Sequence, residues 1–109
     1  MTVCFVVLAG WRERLVGLLG TRRTDLRARP VALVSCRSVH TFWMRYALDV
    51  ALVASDGTVL GSWRGLPPGR LVWRAGASLA LERPSGLAPW PREGERVVLR
   101  PQRWHVVAM

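Results

Sequence analysis

Short apolar runs separated by turn residues dominate this chain. Residues 3–8 are continuously apolar and rich in β-branched side chains, the pattern of a buried strand. In residues 10–20 the period changes. Trp11, Leu15, Leu18 and Leu19 fall on one face of a helix, and Gly20 supplies a stop. A polar, basic loop follows to Pro30, then a second strand over 31–34. The clearest local signal lies in residues 50–63, where two β-rich runs flank Asp56–Gly57, a dipeptide suited to a tight hairpin. Residues 65–70 break the chain with Pro67 and Pro68. Short strands are expected at 71–73 and 78–82, with a bend at Gly76 between them. Residues 83–95 carry three of the prolines and read as an irregular connection. Residues 97–100 and 104–107 close the chain as two last strands, separated by Pro101.

Eight or so short strands with one short N-terminal helix predict a mainly β fold, a small jelly-roll-like sandwich or a partly closed barrel. No alternation of strands and helices is present, which argues against a doubly wound parallel sheet. The length, 109 residues, fits a single domain over 1–109. Half the residues are hydrophobic, which argues against intrinsic disorder.

Charge changes the picture. The chain holds 16 basic and 7 acidic residues, a net of +9, and every basic residue is an arginine. Lys, Ile and Asn are absent together, as a GC-rich genome would produce. Codon bias accounts for arginine in place of lysine but not for the scarcity of acids. A positive field favours anionic partners, although a solvated basic surface with no specific partner is the plainer reading. The two cysteines, Cys4 and Cys36, show no zinc-ligand spacing and read as reduced thiols. The apolar start is too short for a membrane span and lacks the charge order of an export signal, so a cytoplasmic location is expected. No metal or cofactor is expected from the spacing of potential ligands.

The matches to a known family are spread along the chain. They are Arg14 followed by Gly17-Leu18, the block Thr41-Phe42-Trp43-Met44-Arg45, Leu48-Asp49 ahead of Asp56-Gly57, Pro67-Pro68, and Gly76-Ala77 with Leu81-Glu82. Over about residues 5 to 99 the chain resembles the bacterial and archaeal family catalogued as domain of unknown function 192. Ala47, Arg83 and the stretch Pro89-Trp90-Pro91 depart from its pattern. The resemblance implies a small, mostly β, jelly-roll-like domain and no particular reaction.

Candidate chemistry concentrates in residues 36–50, "CRSVHTFWMRYALDV". As one strand, residues 40–50 would place Phe42, Met44, Tyr46, Leu48 and Val50 on a core face. Thr41, Trp43, Arg45, Ala47 and Asp49 would share the other face. Trp43 beside an Arg45 guanidinium oriented by Asp49 would suit an anionic or sugar-like ligand. Glu82 is a further acid in an apolar strand, costly to bury unless paired, so Arg45, Asp49 and Glu82 read either as a fold-fixing ion pair or as ligand-binding groups. Cys36 and His40 are the weak catalytic candidates. Extended backbone would separate their Cα atoms by about 13 Å, too far for a nucleophile and its base. Six tryptophans are many for this length, and Trp63, Trp73 and Trp104 each adjoin an arginine, a weak sign of stacking on bases or sugars.

Three functions compete. The first is a non-enzymatic binding or accessory domain with a basic, anion-favouring face. The second is a small enzyme using Cys36 and His40. The third is a non-specific nucleic-acid-binding module, supported by charge but by no recognition motif.

Overall fold

The computed structural model describes residues 5–8, 18, 21 and 30–98. Seven strands are described: β1 Val6–Leu8, β2 Val31–Val34, β3 Ser38–His40, β4 Leu48–Val53, β5 Val59–Leu66, β6 Leu71–Trp73 and β7 Leu79–Pro84. Five of them form one sheet in the order β1-β2-β7-β4-β5, and β3 pairs with β6 in a separate two-stranded ribbon. All pairings are antiparallel except β1 with β2. The described strands form two sheets and no closed barrel. The expected helix over residues 10–20 and the strand over 104–107 lie outside the described residues, and so does the end of the strand expected over 97–100.

In the large sheet β4 lies between β7 and β5, and its six residues are all buried because both its edges and both its faces are covered. Alternation sends Val31 and Leu33, Leu48, Val50 and Leu52, and Ala80 to one face, where Leu18, Met44, Tyr46 and Leu66 join them. The ribbon closes this first core from above through Val39 and half-buried Val72, which pair with one another in register. Ala32, Ala51, Val53, Leu81 and Val59 face the other way and pack against Trp90, with Phe5 and Val97 at the margin. The loop after β7 therefore covers the second face.

That loop replaces the expected strand at 97–98, where the chain makes only an isolated bridge, Thr58 with Arg96. The physical reason is a set of tethers that hold it as a strap. The amide of Val59 donates to the Glu95 carbonyl at 2.8 Å, the amide of Gly94 to the Val59 carbonyl at 2.9 Å, and the amide of Val97 to the Gly57 carbonyl at 2.8 Å. Trp90 Nε1 donates to the Val50 carbonyl, Ser62 Oγ to that of Pro91, and Arg64 Nη2 to those of Gly86 and Ala88.

The hairpin expected at Asp56–Gly57 joins β4 to β5. Gly57 donates to the Ala54 carbonyl and adopts φ 92°, a conformation open to glycine at little cost. The Thr58 amide donates to Asp56 Oδ1 at 2.9 Å, which fixes the turn from its other side.

Candidate functional site

Residues 40–50 are not one strand. The chain leaves β3 at His40, turns through 41–47 and re-enters the sheet at Leu48. Thr41 accounts for the break. It is fully buried, and its amide donates to the Arg70 carbonyl at 2.8 Å while its own carbonyl accepts from Gly69 and Met44. Its hydroxyl donates to the Pro67 carbonyl at 2.7 Å and accepts from the Arg70 amide at 2.9 Å. Thr41 thus staples the turn to the loop before β6. Two residues on, Trp43 takes φ 64°, a left-handed conformation uncommon for a bulky residue.

The break redistributes the side chains. Met44, Tyr46, Leu48 and Val50 are buried as alternation predicts, but Phe42 is not. It lies 42% exposed, stacked on His40 with ring centroids 5.6 Å apart. Trp43 meets both rings edge-on and is 81% exposed. The expected pairing of Arg45 with Asp49 does not form, because Arg45 sits on the exposed turn while Asp49 is fully buried inside β4.

Asp49 meets Arg83 instead, its register partner on β7, with Arg83 Nε donating to Oδ2 at 2.8 Å. The Gly65 amide donates to Asp49 Oδ1 at 2.9 Å. Arg83 also donates to the carbonyls of Ala88 and Pro89 and lies over the Trp90 ring. Burial alone would push the Asp49 carboxyl up, but the Gly65 amide, the Arg83 guanidinium and Ser85 more than offset it, and its pKa lies below the ordinary value. This is a fold-fixing pair, and it fastens the irregular stretch 83–95 to the sheet.

Glu82, one residue away, points to the opposite face, among Val31 and Val50 of the first core. Among the described residues no hydrogen bond or ion pair meets its carboxyl. Desolvation raises its pKa from 4.5 to about 7. The four residues singled out in the sequence thus fall in three places: Trp43 and Arg45 on the surface turn, Asp49 in one face of the sheet, Glu82 in the other.

Cys36 and His40 have different surroundings. Cys36 packs against the first core, and its thiol donates to the Ser38 carbonyl at 3.6 Å. His40 shares the outer face of the ribbon with its register partner Leu71, and its Nδ1 is buried without a hydrogen-bond partner. No group of three metal-ligating side chains occurs among the described residues.

The ribbon has one further property. With Val39 and Val72 turned inward, its outer face carries Ser38 opposite Trp73 and His40 opposite Leu71. Trp73 and Leu71 are each 59% exposed. Phe42 and Trp43 extend this apolar face along the turn. The two segments that build it, residues 36–48 and 67–78, contain Arg37, Arg45, Arg70 and Arg74 and no acid. Arg74 is committed, donating to the carbonyls of Leu60 and Trp73 and lying 5.0 Å from the Trp63 ring centre. Arg37, Arg45 and Arg70 are exposed, and among the described residues no ion pair engages them. Sequence reasoning reached Trp43 and Arg45, and Trp73 only as a tryptophan beside an arginine, but missed Phe42, Leu71, Arg37 and Arg70. The signal available was the absence of acids from two separate segments, each carrying arginine and tryptophan side chains.

No family model and no curated protein sequence matches the chain. Among solved structures, the fold is similar to that of a protein of unknown function from Novosphingobium aromaticivorans, with a TM-score of 0.61 and 16% identity, over 73% of this chain and 61% of that one. This chain therefore spans less than two thirds of that protein's length. It is also similar to a candidate transcription regulator from Sinorhizobium meliloti, with a TM-score of 0.60 and 17% identity, over 73% of this chain and 67% of that one. At such identities the likeness speaks for the fold alone. No helix among the described residues is long and apolar enough to cross a membrane.

Proposed function

We propose that the protein is a non-enzymatic binding domain of the family catalogued as domain of unknown function 192, and that the outer face of the β3–β6 ribbon holds an anionic ligand. The observation that carries this reading is the exposure of Trp43, Trp73, Leu71 and Phe42 on a face edged by arginines and built from two acid-free segments. Large apolar side chains left bare together mark contact surfaces, and guanidinium groups beside them supply bidentate donors for carboxylate or phosphate. The jelly-roll-like sandwich with an N-terminal helix that the family implies, and a cytoplasmic setting, belong to the same proposal. The Sinorhizobium protein's description as a regulator is compatible with nucleic acid among the ligands.

A pair of charge variants tests the reading. Arg45→Gln with Arg70→Gln removes two charges from the ribbon face, and Arg92→Gln with Arg96→Gln removes two from the strap. Both variants carry the same net charge. The ribbon variant should elute from a phosphate-bearing resin at distinctly lower salt than the strap variant. Equal elution would mean that net charge, and not this face, governs anion binding.

A further inference from the structure

We infer that the ligand of the ribbon face is single-stranded nucleic acid, bound by stacking of its bases and with little regard to sequence. This rests on the anion-binding reading above and deepens it. The argument starts from how the rings are laid out. Trp73 stands in one cross-strand row with Ser38, and His40 with Leu71 forms the next, about 7 Å along the strands. Phe42 and Trp43 continue beyond His40 in one connected group of rings. The aromatic groups therefore follow one another along the face, as stacking platforms for successive bases of an extended strand must. A base offers its π-face only when its strand is unpaired, and a duplex hides it.

The cations are placed to match. Arg37 precedes Ser38 at one end of the ribbon, Arg70 precedes Leu71 at the other, and Arg45 follows Trp43 on the turn. A strand lying across the rings would pass both ends of the ribbon, where Arg37 and Arg70 are exposed, and the turn that carries Arg45, and guanidinium is suited to phosphate through its planar fork. The face is also poor in side chains that read base edges. Its two segments contain no Asp, Glu, Asn or Gln, the side chains that pair with base edges alongside arginine. Stacking and phosphate contacts, with arginine as the main side chain able to reach a base edge, give affinity that depends little on sequence.

An anionic bilayer would also attract tryptophan and arginine, so the experiment separates the two. Intrinsic tryptophan fluorescence and anisotropy would follow the full chain with a short thymidine oligomer, a duplex of equal length, heparin, and vesicles rich in phosphatidylserine. The oligomer should bind at least about tenfold more tightly than the duplex, and a mixed-sequence single strand of equal length should bind as well as thymidine. Its affinity should fall with salt at a log–log slope of about −2, from three phosphate contacts on a single strand. Trp73→Ala and Trp43→Ala should each weaken binding by about tenfold. Both side chains are exposed, so the variants should keep the parent's melting temperature. Arg70→Gln should reduce the slope by about 0.7, and Arg92→Gln should leave it unchanged. Equal binding of oligomer, duplex and heparin, unmoved by the tryptophan variants, would overturn the stacking inference and leave the anion-binding face standing. Preference for the vesicles would overturn it in favour of a membrane surface. Binding to none of the four would overturn both readings.

Discussion

Glu82 gives the sharpest handle on the energetics. Its carboxyl is buried against the first core, met by no partner among the described residues, and desolvation lifts its pKa from 4.5 to about 7. A native state that holds a proton more tightly than the unfolded chain is favoured where that proton is present. The contribution of Glu82 is therefore complete below about pH 4.5, declines as pH rises, and is lost above about pH 7. The gap between the two values corresponds to about 3 kcal/mol. Glu82→Gln keeps the shape and removes the ionisation. Urea denaturation of parent and variant at closely spaced pH values from 4 to 8.5 would give two stability curves, and subtracting them cancels the other titrating groups. The variant should match the parent within about 0.5 kcal/mol at the acid end and exceed it by about 3 kcal/mol at the basic end. A difference that stays flat with pH, or a variant less stable at pH 8, would refute the reasoning. Either result would mean that a cation compensates the Glu82 carboxylate.

Other substitutions probe the remaining arguments. Asp49→Ala leaves the Arg83 guanidinium buried without its carboxylate and should cost about 3–5 kcal/mol by denaturant titration, whereas Arg45→Ala should cost under about 0.5 kcal/mol. Gly57→Ala forces a Cβ onto a left-handed backbone and against the Val97 carbonyl, so it should lower stability by about 1–3 kcal/mol. With Cys4 replaced by serine, Cys36 should react with a thiol reagent slowly at neutral pH, at a rate that His40→Ala does not change. Rapid labelling at neutral pH, lost in the His40 variant, would favour the catalytic reading.

Where structure depends on local pattern, the sequence is a good guide. Residues 31–34 and 71–73 form strands with the expected bounds, and Asp56–Gly57 turns the chain where it should, because apolar runs and turn residues act over a few positions. The strand expected at 78–82 is displaced by one or two residues. The proposed ligand face is legible only in part. Trp43 and Arg45 share an exposed turn, but Asp49 pairs with Arg83 and not with Arg45. Arg83 lies 34 residues away in sequence and becomes its neighbour only through the β4–β7 register. Alternation puts Phe42 in the core because it assumes an unbroken strand. What ends that strand is the bonding of Thr41 to the Pro67–Arg70 loop, a contact across more than 25 residues that periodicity does not encode. The ribbon face escaped for the same reason, since neither of its segments is unusual until β3 and β6 are paired.

The strap along β5 has a consequence for how the chain behaves in company. A strand at the border of a sheet presents a row of unused amides and carbonyls, which can recruit the strand of another molecule. Here the chain's own residues 94–97 occupy part of that row at Gly57 and Val59. They do so without becoming a regular strand, so they offer no equally straight border to the next molecule. Prolines at 89 and 91 and the charged residues 92, 93, 95 and 96 make the strap a poor template in turn. The segment that looked least ordered in the sequence thus acts as a guard against edge-to-edge polymerisation, and loosening it should favour aggregation before the core itself has melted.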